Sequence, residues 1–249
     1  MNNFPIKSEL SDMDKKSLLL IKEAIKELKG NFNYFEVGSY KGDTLVPFLA
    51  DPYCKDIFSV DHRPSKVYDE RGYEKIYIGN TTESMVKRLS KYCSAEQLKK
   101  LLCCEGTVNS TVTDAALIGE QKWFDLFMFK GNCSVDQLIE DFEVSWKTAN
   151  ETAVFIIHNS KLLKPAIEAI MKTAEKRHLI GYTLPENFFI IEKNCRIHLN
   201  ADLYVHSMKN SHLSFTDTPE QQEAQNFYAR FHKLRTLIKL LQGRNIFWL

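Results

Sequence analysis

Hydrophobic and polar positions follow two alternating rhythms along this chain. From Ser11, the stretch SDMDKKSLLLIKEAIKELKG sets Leu18, Ile21, Ala24, Ile25 and Leu28 on one helical stripe. Asp14 stands at capping-box spacing from Ser11, and Gly30 supplies a stop, which predicts a helix over about 12–29. NYFEVG (33–38) is a short apolar run broken at Gly38, and SYKGDTLVPFLA leads from it into a helix. DIFSVD (56–61) predicts a second strand that ends on a carboxylate. Residues 62–78 hold Pro64, Gly72 and many charges and read as a long loop, with helical patterns following over 80–92 and 95–102. LLCCEG (101–106) is an ambiguous third strand, FDLFMFKG (124–131) a clearer fourth and TAVFIIHN (152–159) a fifth. Helices are predicted over 135–147, with Leu138, Ile139, Phe142 and Trp146 apolar, and over 162–177, with Pro165 near its start. NFFIIEKN (187–194) and DLYVHSM (202–208) read as an antiparallel pair. A last amphipathic helix over 219–242 carries Phe227, Phe231, Leu234, Ile238 and Leu241 at helical spacing.

Strands alternating with helices imply a parallel sheet with right-handed crossovers. The near-continuous runs FDLFMF and TAVFII fit strands buried on both faces. The expected fold class is α/β: one Rossmann-like sandwich of about seven strands, a C-terminal antiparallel hairpin, and extra N- and C-terminal helices. The expected boundaries are an N-terminal helix in 1–32, an α/β domain in 33–210, and a C-terminal helical extension in 211–249. That extension packs on the domain or on a partner subunit, and its aromatic tail, Phe247 and Trp248, makes a homodimer one of the two expectations.

Composition narrows the function classes. The 249 residues are 44% apolar and carry 33 Lys+Arg against 32 Asp+Glu, a formal net charge of +1. That is enough apolar material for a core, and it argues against a mostly disordered chain. No large basic surface is available to drive nucleic-acid binding. No apolar run reaches about 18 residues, so no membrane span is expected. The N-terminal MNNFPIKSELSDMDKK has no charged-then-apolar leader. Cys54, Cys93, Cys103, Cys104, Cys133 and Cys195 form no CxxC pair or zinc spacing, which fits free thiols and a cytoplasmic chain.

In an open parallel sheet, ligands bind at the carboxyl ends of the strands. After the first strand comes Glu36-Val-Gly38-Ser39-Tyr40-Lys41-Gly42-Asp43-Thr44. Gly38 permits a tight turn, and Gly42 allows either backbone approach to a ligand or close helix packing. Asp61 at the next strand end suits a ribose diol, each hydrogen bond to a charged acceptor being worth roughly 1.5–3 kcal/mol. Together these positions describe a nucleoside-bearing cofactor lying across strands one and two.

The strings EVGSYKGDT, FSVD, FDLFMFKGNCSVDQLIEDF and VFIIHNS resemble, in order and spacing, the class I S-adenosylmethionine-dependent methyltransferases. The nearest branch is the small O-methyltransferases of sugars and natural products, and the resemblance covers about residues 33–208. It implies a methyltransferase sheet, S-adenosylmethionine as cofactor, and methyl transfer to a small-molecule acceptor, a sugar or a phosphorylated or biosynthetic compound. It further implies that the methionine end of the cofactor lies near Glu36, Gly38 and Ser39, with Gly42 in the same loop. The ribose would lie near Asp61, the adenine between His62 and Glu105-Gly106-Thr107, and Tyr40 beside the sulfonium.

Two motifs depart from the family. Metal-dependent relatives show D-G-x-H and H-D where this chain has Lys130-Gly131-Asn132-Cys133 and His158-Asn159. Carboxylates that would hold Mg²⁺ are missing and Lys130 places a cation there, so no metal site is expected. A metal-free reaction still needs a proton acceptor, and His158 is the candidate general base, with Lys130 at a developing oxyanion. The charged segment from Asp61 to Met85 is expected to act as a lid for a polar acceptor, with Asn80 and Glu83 at capping-box spacing before the following helix. The competing reading is a methyltransferase-like domain that keeps a nucleoside pocket but serves a partner. A nicotinamide dehydrogenase is the third reading, and the first motif lacks its G-x-G-x-x-G order.

Overall fold

The computed structural model describes residues 3–68, 74–113, 124–130, 134–174 and 179–208. The chain divides into two units, Met1–Leu213 and Ser214–Leu249, and all described residues belong to the first. The expected final helix and aromatic tail lie outside the described residues, as do Gly131, Asn132 and Cys133.

Helix α1 (Asp12–Lys29) has the expected bounds. The Ser11 side chain accepts from the Asp14 N–H, Asp14 completes the capping box, and the Gly30 N–H closes the last turn on the Lys26 carbonyl. Leu18, Ile21, Ala24 and Ile25 are buried, but Leu28 is 53% exposed, so the apolar stripe ends one turn before the helix does.

Seven strands form the main sheet: β1 (Phe32–Val37), β2 (Cys54–Asp61), β5 (Leu101–Glu105), β6 (Phe124–Phe129), β7 (Ala149–Ile157), β8 (Ile180–Thr183) and β9 (Phe189–Lys193), in the order β5-β2-β1-β6-β7-β9-β8. The first five pair in parallel, and β9 joins antiparallel to both β7 and β8. This is the expected α/β sheet with its antiparallel end. The hairpin partner differs from expectation, because residues 202–207 are helical (α8, Ala201–Ser207) and Ile180–Thr183 takes the place of the expected strand. Asn200 caps that helix, accepting from the Asp202 and Leu203 N–H groups, and the buried pair Leu203 and His206 stands at helical spacing. His206 Nε2 lies 2.7 Å from Ser17 Oγ and ties α8 to α1.

Residues 62–78 are not simply a loop. A two-stranded antiparallel hairpin, β3 (Lys66–Tyr68) and β4 (Glu74–Ile76), stands there as a separate small sheet. The remaining helices are α2 (Val46–Leu49), α3 (Thr82–Leu89), α4 (Ala95–Leu98), α5 (Val108–Thr113), α6 (Val135–Thr148) and α7 (Lys164–Ala174). None of the described helices is long and apolar enough to cross a membrane.

The core has two compositions. On one face, Tyr34, Ile57, Leu126, Met128, Val154, Ile156 and Ile190 pack with α1 and α2. On the other, Phe58, Phe35, Phe127 and Phe155 occupy directly adjacent register positions on four parallel strands. Their ring centroids are 5.0, 5.4 and 4.7 Å apart, and Phe142 and Trp146 of α6 lie against Phe155. Such pairs add to area burial about 0.5–1.5 kcal/mol each.

Gly42 has φ +80, and a Cβ there would stand 3.0 Å from Met85 Cγ and 3.1 Å from Leu89 Cδ2 on α3. Gly30 has a similar φ of +73 with nothing within 4 Å. Gly42→Ala is expected to lower stability by about 1–3 kcal/mol, more than Gly30→Ala does, because it adds overpacking to backbone strain. Urea unfolding of the two variants measures the difference, and equal losses would show that α3 yields freely.

Candidate functional site

The register brings the expected strand ends to one edge of the sheet. Val37 pairs with Val60 and with Phe129, Phe129 with Ile157, and Asp61 with Glu105. The Gly38 N–H bonds the Val60 carbonyl, the Lys130 N–H the Val37 carbonyl, and the His158 N–H the Phe129 carbonyl. With the Gly106 N–H on the Asp61 carbonyl, the five strand ends are stitched together one residue beyond the strands, and Gly38, Asp61, Glu105, Lys130 and His158 sit on that line.

The turn after β1 is left-handed at Gly38 (φ 84), Tyr40 (φ 46) and Gly42 (φ 80). Of the two uses expected for Gly42, the structure shows close packing against α3. The Tyr40 N–H donates to Asp61 Oδ2 at 2.8 Å, and the Arg63 N–H donates to Asp61 Oδ1 at 2.9 Å. Asp61 therefore holds the glycine turn to the end of β2.

Arg63 (φ 51) is the residue that sequence reasoning left within a charged loop. Its guanidinium stands 3.3 Å from Asp61 Oδ2 and donates to the Tyr40 carbonyl (2.5 Å), Ser39 Oγ (2.8 Å) and Asn80 Oδ1 (3.3 Å). Asn80 in turn donates to the Pro64 carbonyl. The cap of α3 is Thr81, accepting from Ser84, and not Asn80 as the spacing suggested. The Tyr77 ring, next to β4, meets the Tyr40 ring edge-on at 4.8 Å.

Beneath the turn lies a closed polar cluster. Glu36 is fully buried, and its carboxylate accepts from Thr44 Oγ1 and from the Tyr34 hydroxyl at 2.8 Å. Lys130 Nζ stands 2.6 Å from Asp43 Oδ1, each side chain 2% exposed, and 3.5 Å from Thr44 Oγ1. Ser8 donates to the other Asp43 oxygen. Burial raises the Glu36 pKa to about 7, against the opposing pull of Lys130 and the two hydroxyl donors.

At the adenine-side positions the residues are spread out. His62 is exposed, and Glu105 is exposed with its carboxylate accepting from the Thr82 N–H, which lowers its pKa. Thr107 Oγ1 accepts from the Ser110 N–H at the start of α5. Asp141 of α6 is nearly buried; burial lifts its pKa to about 6, against pulls from Gln137 and His62.

His158 closes the line at the end of β7. Its Nε2 is 3.8 Å from Asp14 Oδ2, and its ring meets Phe188 edge-on at 5.7 Å. Asp14 is fixed by the Asn187 backbone and side-chain amides and by Ser11. A residue legible only as a helix cap thus also supplies the carboxylate beside His158. No signal in the sequence joins them, since the pairing spans most of the domain.

No family model matches the sequence, and no curated protein matches it. Among solved structures the chain is similar to CalS11, the calicheamicin methyltransferase, with TM-score 0.56 and 15% identity over 75% of this chain and 82% of that one. It is similar to the O-methyltransferase TomG of Streptomyces achromogenes in complex with S-adenosylmethionine (0.50, 14%, 78% and 82%). It is also similar to the Bacillus cereus O-methyltransferase in complex with S-adenosylhomocysteine (0.52, 12%, 76% and 84%). At these identities the likeness establishes the fold alone, which this chain shares with these methyltransferases.

A raised carboxyl pKa in the folded state stabilises the fold below the ordinary carboxyl range and loses that contribution as pH rises through the folded value. Glu36 therefore works against the fold above about pH 7. Glu36→Gln is expected to reduce the drop in unfolding free energy between about pH 5 and about pH 8 by about 2–3 kcal/mol. Urea titrations of both proteins at the two pH values check this. Parallel curves would mean that Glu36 titrates normally.

Proposed function

We propose that this chain is an S-adenosylmethionine-dependent methyltransferase that methylates a hydroxyl of a small polar acceptor without a metal ion. The observation that carries the reading is the left-handed turn at Gly38–Gly42, tied by Asp61 to the neighbouring strand end, on this particular fold.

The residues fit the cofactor. A carboxylate has about four lone-pair positions; two backbone donors and the Arg63 guanidinium already engage Asp61, which leaves about one position for a ribose hydroxyl. Ser39 and Tyr40 would face the methionine portion, with the Tyr40 ring near the sulfonium, and His62, Glu105 and Thr107 would flank the adenine. The cofactor supplies a methyl group activated on a positively charged sulfur, and alignment with the acceptor oxygen provides much of the acceleration.

His158 is assigned as the group that takes the acceptor's proton. Its place at a strand end, only 7% exposed, suits an imidazole shielded from bulk water. Asp14 Oδ2 stands 3.8 Å from its Nε2, which places a carboxylate beside the ring. Lys130, expected at a developing oxyanion, is engaged with Asp43. That supports a positioning role under the glycine turn. Metal independence is supported by the sequence, which has Lys130 at the position where the resembled metal-dependent enzymes carry a carboxylate. The structurally similar CalS11 is a TDP-rhamnose 3′-O-methyltransferase, which supports a sugar-like acceptor here. The engagement of Lys130 is also what favours the alternative, a non-catalytic domain that binds the nucleoside for a partner.

Calorimetric titration with S-adenosylmethionine and S-adenosylhomocysteine, with NAD as control, tests the reading. Micromolar binding of a sulfur ligand is expected, and binding of neither would overturn it. Asp61→Ala is expected to weaken that binding by roughly tenfold or more, about 1.4 kcal/mol. Unchanged affinity would remove Asp61 from the ribose. His158→Ala is expected to abolish turnover while sparing cofactor affinity, and a chelator to leave turnover intact. Cofactor binding with no turnover on any sugar or phenolic hydroxyl would favour the non-catalytic domain.

A further inference from the structure

The cluster under the glycine turn has an unbalanced charge. Two carboxylates, Glu36 and Asp43, share one ammonium, Lys130, and all three residues are at most 5% exposed. Among the described residues, the groups acting on Glu36 are Tyr34 from β1, Asp43 and Thr44 from the turn, and Lys130 from the end of β6. Ser8, which donates to Asp43, adds no charge. Fully ionised, the cluster carries a net charge of −1 inside protein, which is costly unless compensated. A proton can cancel that charge from within, and a cation bound just above can cancel it from without.

We propose that this cluster gauges the charge of a ligand at the glycine turn, beyond the fixed charge of Arg63: it holds a proton when no ligand or a neutral thioether is bound there, and loses that proton to solvent when a sulfonium docks. The inference rests on the cofactor reading above and goes beyond it, making Glu36 the residue that separates cofactor from spent product by charge. S-adenosylmethionine carries a sulfonium, an ammonium and a carboxylate, a net charge of +1. S-adenosylhomocysteine lacks the sulfonium and is neutral overall. Glu36 stands two residues before Gly38, whose turn would receive either ligand. Its titration falls at about 7, where the proton is about half bound and most easily moved by an arriving cation. In the exchange the Glu36 carboxyl O–H breaks, the electron pair stays on the carboxylate, and buffer takes the proton.

The test is calorimetry near pH 7 in phosphate and in imidazole buffers, whose ionisation enthalpies differ, so that the difference in heat counts protons. Up to about half a proton should be released per S-adenosylmethionine bound, and clearly less per S-adenosylhomocysteine. The affinity ratio of the two ligands should rise roughly threefold or more from about pH 6 to about pH 8. Glu36→Gln should bring the release near zero. Asp43→Asn should do the same by another route, because Lys130 then compensates Glu36 alone and keeps it ionised throughout. The second variant keeps the test decisive if the first does not fold. Equal proton counts for both ligands, or release that persists in Glu36→Gln, would overturn the proposal while leaving the cofactor reading intact. Binding of neither ligand would overturn both.

Discussion

The level at which the parallel strands end is set by packing on the far side of the sheet. Phe58, Phe35, Phe127 and Phe155 are register neighbours, and their rings interlock under α6. Slipping any one strand by a single residue would carry its ring to the opposite face and put a polar or smaller residue in its place. The same register aligns Val37, Asp61, Glu105, Phe129 and Ile157 at the upper edge. An apolar contact with no chemistry of its own therefore decides which polar residues meet. The site inherits its geometry from the core, about two residues farther down each strand.

Above that edge the chain uses charge to hold its shape. Asp61 binds the turn through two backbone amides, and Arg63 lies across Ser39, Tyr40 and Asn80. Arginine suits the position because its planar fork reaches several acceptors in fixed directions, which a lysine would not do. Among the described residues, the segments flanking the small β3–β4 hairpin meet the glycine turn through this side chain and through the Tyr40–Tyr77 contact.

Much of this was legible in the sequence where signals are local. Both ends of α1 carry caps within the helix's own neighbourhood, so its bounds could be read directly. The strands β1, β2, β6 and β7 stood out as apolar runs because both their faces are buried. The β3–β4 hairpin did not, since strands of three residues are shorter than the window in which alternation becomes visible. Leu203 and Val205 mimic strand alternation, and only the Asn200 cap gives the helix away. Glu36, Asp61, Lys130 and His158 could be placed at or near strand ends because strand ends are predictable. Their partners Asp43, Arg63 and Asp14 were not named for those roles, because which side chain meets which carboxylate depends on folding distant segments together. Asp43 and Lys130 are 87 positions apart, and Asp14 and Asn187 are 173 apart.

The residues ahead of α1 and in its first turn have a standing beyond that of a helix start. Ser8 reaches Asp43 beneath the glycine turn, and Asp14 reaches Asn187 and His158 at the far end of the strand-end line. A shortened chain beginning at Asn31 would keep every strand of the sheet yet lose contacts at both ends of the site at once. A cut guided by the sheet alone would therefore fall in the wrong place.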